Sequence, residues 1–194
     1  MYTQRKIIVA NIKNLSFIEP KQERSKKRFE EVLKTAEFIY THQENYALTV
    51  QDVSKLTGMK RPSIYKFFPS NESILEALSF KYASDLFRLI KKNLNNLQYK
   101  DNKELIKVVI DVCAIYANKN HPFSNLIFNE FSKEFLIKNI KEQILHKNHD
   151  EQTKIMLTLS VLMSCLGDYL NQEDSITPRC ISETKKICLL YLSN

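Results

Sequence analysis

The stretch that most constrains this 194-residue chain runs from Leu48 to Leu75, LTVQDVSKLTGMKRPSIYKFFPSNESIL. Val50, Val53 and Leu56 recur at i, i+3 and i+6, the spacing of one short helix. The Thr49 hydroxyl stands where it can accept a bond from an orphan N–H of the first turn. Gly58 is expected to end that helix, because glycine enters the left-handed backbone of a tight turn without strain. Pro62 suits the first turn of a second helix, where a missing N–H costs nothing. Ile64, Phe67 and Phe68 give that helix a buried side and leave Lys60, Arg61, Ser63, Tyr65 and Lys66 pointing outward. Two short helices around a glycine turn, the second polar and basic on its outer face, make a helix-turn-helix.

The run from Gly58 to Phe68 resembles the recognition helix of the tetracycline-repressor (TetR) family of transcriptional regulators. That family's pattern is Gly, a small apolar residue, a variable stretch, an aliphatic-Tyr pair and Phe three residues later. The resemblance extends upstream through Val32, Leu33, Ala36, Tyr46, Thr49 and Val53, and downstream through Ser70, Glu72 and Leu75. Two positions depart from the pattern. Lys60 stands where the family often has a capping Ser or Thr, and Asn71 where a phosphate-contacting Lys is usual. The resemblance implies an N-terminal three-helix domain joined by a long helix to a C-terminal helical domain for ligand binding and dimerisation. It also implies repression of transcription from DNA.

Composition agrees with an all-α fold. The chain holds 2 Gly and 5 Pro and has no alternating apolar pattern of the kind strands require. Its charge is lopsided: residues 1–97 carry 17 Lys and Arg against 10 Asp and Glu, whereas residues 98–194 carry 12 of each. A basic half bearing a helix-turn-helix points to duplex DNA as the polyanionic partner. A helix is expected from Ser25 to Gln43, with Phe29, Val32, Leu33, Ala36 and Ile39 as its apolar stripe. Arg24, Lys26, Lys27 and Arg28 at its start would meet the DNA backbone, positioning the protein without reading sequence. Lys60 and Arg61 lie near the start of the recognition helix, which commonly meets base edges, and Arg is the usual partner of guanine. Ser63 and Lys66 could reach bases or phosphates. Tyr65 matches the family tyrosine, which implies a phosphate contact, and Thr49 could cap its helix while still offering phosphate a hydroxyl or N–H.

We divide the chain into an N-terminal extension (1–20), a helix-turn-helix domain (21–70) and a helical regulatory and dimerisation domain (71–194). In the extension, Ile8, Ile12 and Leu15 have helical spacing before Pro20; the segment is either a frayed arm or is docked on its own domain or a neighbouring subunit. A helix from Asn71 toward Leu97 carries the apolar stripe Ile74, Leu75, Leu78, Tyr82, Leu86, Leu89, Ile90, Leu94 and is too long to serve the first domain alone. Asp101 can cap the next helix. An effector would lie among the helices between residues 78 and 170, with Tyr82, Tyr116, Phe128, Phe131 and Met156 as candidate lining. The last two helices, about Asp150–Asn171 and one opening at Thr177-Pro178, read as a dimer interface built from Leu159, Leu162, Met163, Leu166, Gly167, Leu170, Ile181 and Cys188. Gly167 costs its helix about 1 kcal/mol against Ala, which close approach of another backbone would explain. Two such helices from each subunit make a four-helix bundle, and a two-fold dimer fits a palindromic operator.

Other functions find little support. There is no glycine-rich phosphate loop, nucleophile elbow or metal constellation, so neither an enzyme nor a cofactor is expected. His146 and His149 form an H-x-x-H pair in a polar junction without a third ligand. Cys113, Cys165, Cys180 and Cys188 lack CxxC spacing and have apolar neighbours, as core thiols of a reducing cytoplasm do. No apolar run approaches the ~20 residues that cross a bilayer. The alternative to a small-molecule effector is a protein as the second partner.

Overall fold

The computed structural model describes residues 15–42, 48–96, 101–144 and 147–193, in which helices are joined by turns and loops with no strand among them. The helices are α1 (Glu23–His42), α2 (Val50–Thr57), α3 (Arg61–Tyr65), α4 (Asn71–Asn96) and α5 (Asn102–Lys119). After a 3-10 turn (His121–Phe123) come α6 (Ser124–Ile127), α7 (Glu130–Gln143), α8 (His149–Leu170) and α9 (Pro178–Tyr191). The expected spacing of Ile8 and Ile12, the Tyr46 position and His146 lie outside the described residues.

The chain divides into two compact units, Met1–Lys81 and Tyr82–Asn194. The division falls inside α4, not before it, and residues 15–20 pack within the first unit. In that unit Phe29, Val32, Leu33, Ala36 and Ile39 of α1 are buried, as the stripe required, together with Val50, Val53, Ile64 and Phe68. Leu56 breaks the expected series, being 58% exposed on α2. A salt bridge from Lys81 to Glu37 ties α4 to α1.

In the second unit α8 packs against α5, α7 and α9, and α9 also lies along α5. Helix starts are set by side-chain caps: Asp101 accepts from the Glu104 N–H (2.8 Å), Asn129 from Ser132 (2.9 Å), Asn148 from Glu151 (2.9 Å) and Thr177 from Cys180 (3.3 Å). The link between α8 and α9 is held by Asn118, whose amide donates to the Ile176 carbonyl (2.9 Å) and accepts from the Ile176 N–H (2.7 Å). Burial pushes the Cys113 thiol up to about 12 and the Cys188 thiol up to about 11, keeping both protonated at neutral pH. Helix α8 is, among the described residues, the one long and apolar enough to cross a membrane by length and composition, contrary to the expectation from the sequence. Its apolarity has another account, since Ile155, Leu159, Leu162, Met163, Leu166 and Leu170 are buried inside the chain's own core.

Asn118→Ala removes both bonds to Ile176 and leaves its N–H and C=O without these partners. The expected loss is about 1–3 kcal/mol of unfolding free energy, read from the urea midpoint.

Candidate nucleic-acid interface

The helix-turn-helix is built by short polar contacts around two brief helices. Thr49 has the extended backbone of an N-cap and accepts from the Asp52 N–H at 3.2 Å. The same hydroxyl donates to the Asp52 carboxylate, so of the two groups expected to serve phosphate, hydroxyl and N–H, the hydroxyl is engaged inside the motif. Gly58 closes α2 at φ +69°, a left-handed conformation that a side chain would strain. Beyond it the Ser54 hydroxyl donates to the Met59 carbonyl (2.7 Å), bracing the turn from the α2 side.

Sequence reasoning missed the role of Asn71. Its side-chain oxygen accepts from the Val50 N–H at 2.9 Å, so the residue in place of the usual lysine joins the start of α4 to the start of α2. Nothing in helical periodicity signals a contact across 21 residues. Ser70 and Ser73 close the first turn of α4 reciprocally, each backbone N–H donating to the other's hydroxyl (3.1 and 3.2 Å). A hydrogen bond with the Ser70 side chain, helped by its own backbone N–H, holds the exposed Glu72 carboxyl below its usual range.

Helix α3 is shorter than expected, five residues, with Lys66 and Phe67 continuing as a turn. Lys60 occupies its N-cap without a side-chain bond, and Pro62 sits in its first turn. Ile64 and Phe68 are fully buried, while Lys60, Arg61, Tyr65 and Lys66 are exposed and Ser63 is half-buried. Four of the five residues proposed to read or grip DNA from this helix therefore face outward. Phe67 is half-buried beside Phe29. In the first two turns of α1, Arg24, Lys27 and Arg28 are exposed, whereas Lys26 is engaged by Glu23.

No protein-family model and no curated protein matches this sequence. Solved structures do. A TetR-family transcriptional regulator from Streptomyces coelicolor aligns with a TM-score of 0.68 at 16% identity, over 86% of this chain and 98% of that one. The fatty acid degradation regulator FadR from Bacillus halodurans aligns at 0.58 and 14% identity, over 86% and 98%. The TetR-family regulator PfmR from Thermus thermophilus aligns at 0.51 and 20% identity, over 84% and 97%. The chain has the TetR fold.

The expected effector residues of this TetR-fold chain lie in its second unit, most of them within the packing. Tyr82 is buried and stacks on Phe123 with ring centroids 4.5 Å apart. Tyr116 and Phe128 are also buried, and Phe131 is half-buried in the first turn of α7. Met156 is the one of the five that lines the open groove of about 450 Å³ between α7 and α8, whose walls include Glu130, Lys133, Glu134, Lys138 and Lys141.

The residues expected at a subunit interface are also placed differently. Leu159, Leu162, Met163, Leu166, Leu170 and Cys188 are buried within their own chain, and Ile181 is half-buried. An apolar face this wide faces the neighbouring helices of the same fold first. Gly167 admits Phe128 of the same chain, whose Cβ would lie 3.0 Å from an added methyl, so the close neighbour is an internal side chain. On these two helices the large apolar residues left exposed are Leu157 and Val161 on α8 and Ile187, Leu190 and Tyr191 on α9.

Proposed function

We propose that this protein is a sequence-specific DNA-binding transcriptional regulator. It acts as a homodimer at a palindromic operator, represses there, and leaves when a small-molecule effector binds its second unit. The observation that carries the reading is the division of α3 into a buried side, Ile64, and an outer side presenting Lys60, Arg61, Tyr65 and Lys66. A helix so divided can enter the major groove without disturbing the core. The excess of cations in the N-terminal half supports the same partner, because phosphate neutralisation supplies most of the sequence-independent affinity. Arg61 is assigned to base edges, Tyr65 to phosphate, and Arg24, Lys27 and Arg28 to the backbone alongside.

Dimerisation is assigned to the outward apolar residues of α8 and α9, not to the buried ones. Leu157, Val161, Ile187, Leu190 and Tyr191 are each 44% exposed or more, and α8 packs directly on α9. Two such pairs form a four-helix bundle around a two-fold axis. The effector is assigned an apolar or amphipathic character, and one protein of similar structure is a fatty acid degradation regulator.

A second reading keeps the DNA and makes the other partner a protein. It is favoured by the packing of Tyr82 against Phe123 and by the open, charge-lined groove beside Met156. Titrating the purified protein with small apolar ligands and with cell-extract proteins, while following release from DNA, separates the two.

Operators selected from a random duplex pool test the assignments on α3. Arg61→Ala is expected to relax base preference at one position of each half-site, costing about 1–3 kcal/mol of discrimination. Tyr65→Ala is expected to weaken binding to all sequences alike. Equal loss at every sequence for both variants overturns the assignment of Arg61.

Leu190→Glu places a charge in the assigned interface. Sedimentation is expected to show a monomer with unchanged helicity, and an unchanged dimer rejects this surface.

A further inference from the structure

Helix α3 is too short to hold its own direction. A helix of five residues makes few internal bonds, and helices of this length owe their stability to tertiary packing. Its leading end has no side-chain cap. What fixes the trailing end therefore fixes the residues that α3 presents outward.

Three consecutive residues ahead of α1 meet that end. The Ile18 N–H donates to the Phe67 carbonyl at 2.8 Å, satisfying an acceptor just past α3. Phe17 is 4% exposed and sits among aromatic rings, 6.1 Å from Phe29 and 5.7 Å from Phe80. Phe29 in turn stacks on Phe68 at 4.7 Å. Ser16 grips α4 with both of its donors: its N–H reaches Glu76 Oε1 and its hydroxyl reaches Oε2, each at 2.8 Å. Hydrogen bonds to an ionised acceptor are the stronger kind, and here two share one carboxylate.

We propose that Ser16, Phe17 and Ile18 form a clamp that fixes the trailing end of α3 to α4 through Glu76, making Glu76 a positioning residue for DNA binding that touches no DNA. This rests on the DNA-binding reading above. The clamp explains why the chain carries an ordered segment before the first helix of the motif. It also gives α4 a direct mechanical hold on the reading helix, separate from the polypeptide link through Pro69.

Electrostatics and the clamp give opposite signs when Glu76 is changed, and that decides the test. Removing a carboxylate from a DNA-binding unit tightens DNA binding by charge alone. If the clamp positions α3, Glu76→Ala weakens binding instead. On a duplex selected by the wild-type protein, Glu76→Ala is expected to raise Kd about tenfold, as loss of one good base contact would. Glu76→Gln removes the same charge but retains an acceptor oxygen for Ser16, and is expected to recover most of the affinity.

Amide exchange in the full-length protein supplies a readout that needs no DNA. In Glu76→Ala the amides of Phe67 and Phe68 are expected to exchange about tenfold faster, with those of Val32 to Ile39 unchanged. Unchanged exchange at Phe67 and Phe68 overturns the clamp. Faster exchange with unchanged or tighter DNA binding overturns its positioning role. Failure of the wild-type protein to select any duplex defeats the DNA-binding reading, and the positioning role with it, while the exchange result still decides whether the clamp holds α3.

Discussion

The interaction on which the first unit depends is the packing of Phe29 against Phe68. Phe29 lies on the 20-residue α1, and Phe68 lies just beyond the five-residue α3. Their stacked rings, with Phe67 edge-on at 5.9 Å, transfer the rigidity of the one to the other. Such pairs contribute about 0.5–1.5 kcal/mol each beyond the area they bury. A short helix with few internal bonds acquires a defined orientation only from contacts of this kind. The outward display of Arg61, Tyr65 and Lys66 goes with the full burial of Ile64 on the opposite side of the helix.

Much of this unit was legible in the sequence because its signals are local. A threonine before an apolar series, a glycine after it and a proline in the next first turn each specify backbone geometry within a few residues. Thr49, Gly58 and Pro62 behave accordingly. Three features were not legible for the opposite reason. Asn71 meeting Val50, Lys81 meeting Glu37 and Ser16 meeting Glu76 join residues 21, 44 and 60 positions apart, and no periodicity encodes such pairs. The hydroxyl of Thr49 shows a related limit: sequence names it as a cap, but only the fold shows that it also donates to Asp52.

In the second unit, periodicity located the helices but not their neighbours. The stripe on α8 is wide enough to serve both the interior and an outer partner, and which leucines do which depends on where α5, α7 and α9 lie. Leu159 and Leu162 turn inward, while Leu157 and Val161 remain outside. The aromatic candidates for an effector site follow the same rule. Tyr82 finds Phe123 across the unit and becomes part of the packing. Gly167, read as a mark of a neighbouring subunit, accommodates Phe128 instead. Apolar content reports burial without saying what does the burying.

We propose that the basic first unit engages the phosphates of a duplex while α3 enters its groove. The most direct test of this is the affinity for duplex DNA as a function of salt concentration. The logarithm of the association constant is expected to fall linearly with log salt, with a slope of roughly −0.9 for each phosphate neutralised and several phosphates engaged. Absence of duplex binding even in dilute buffer contradicts it.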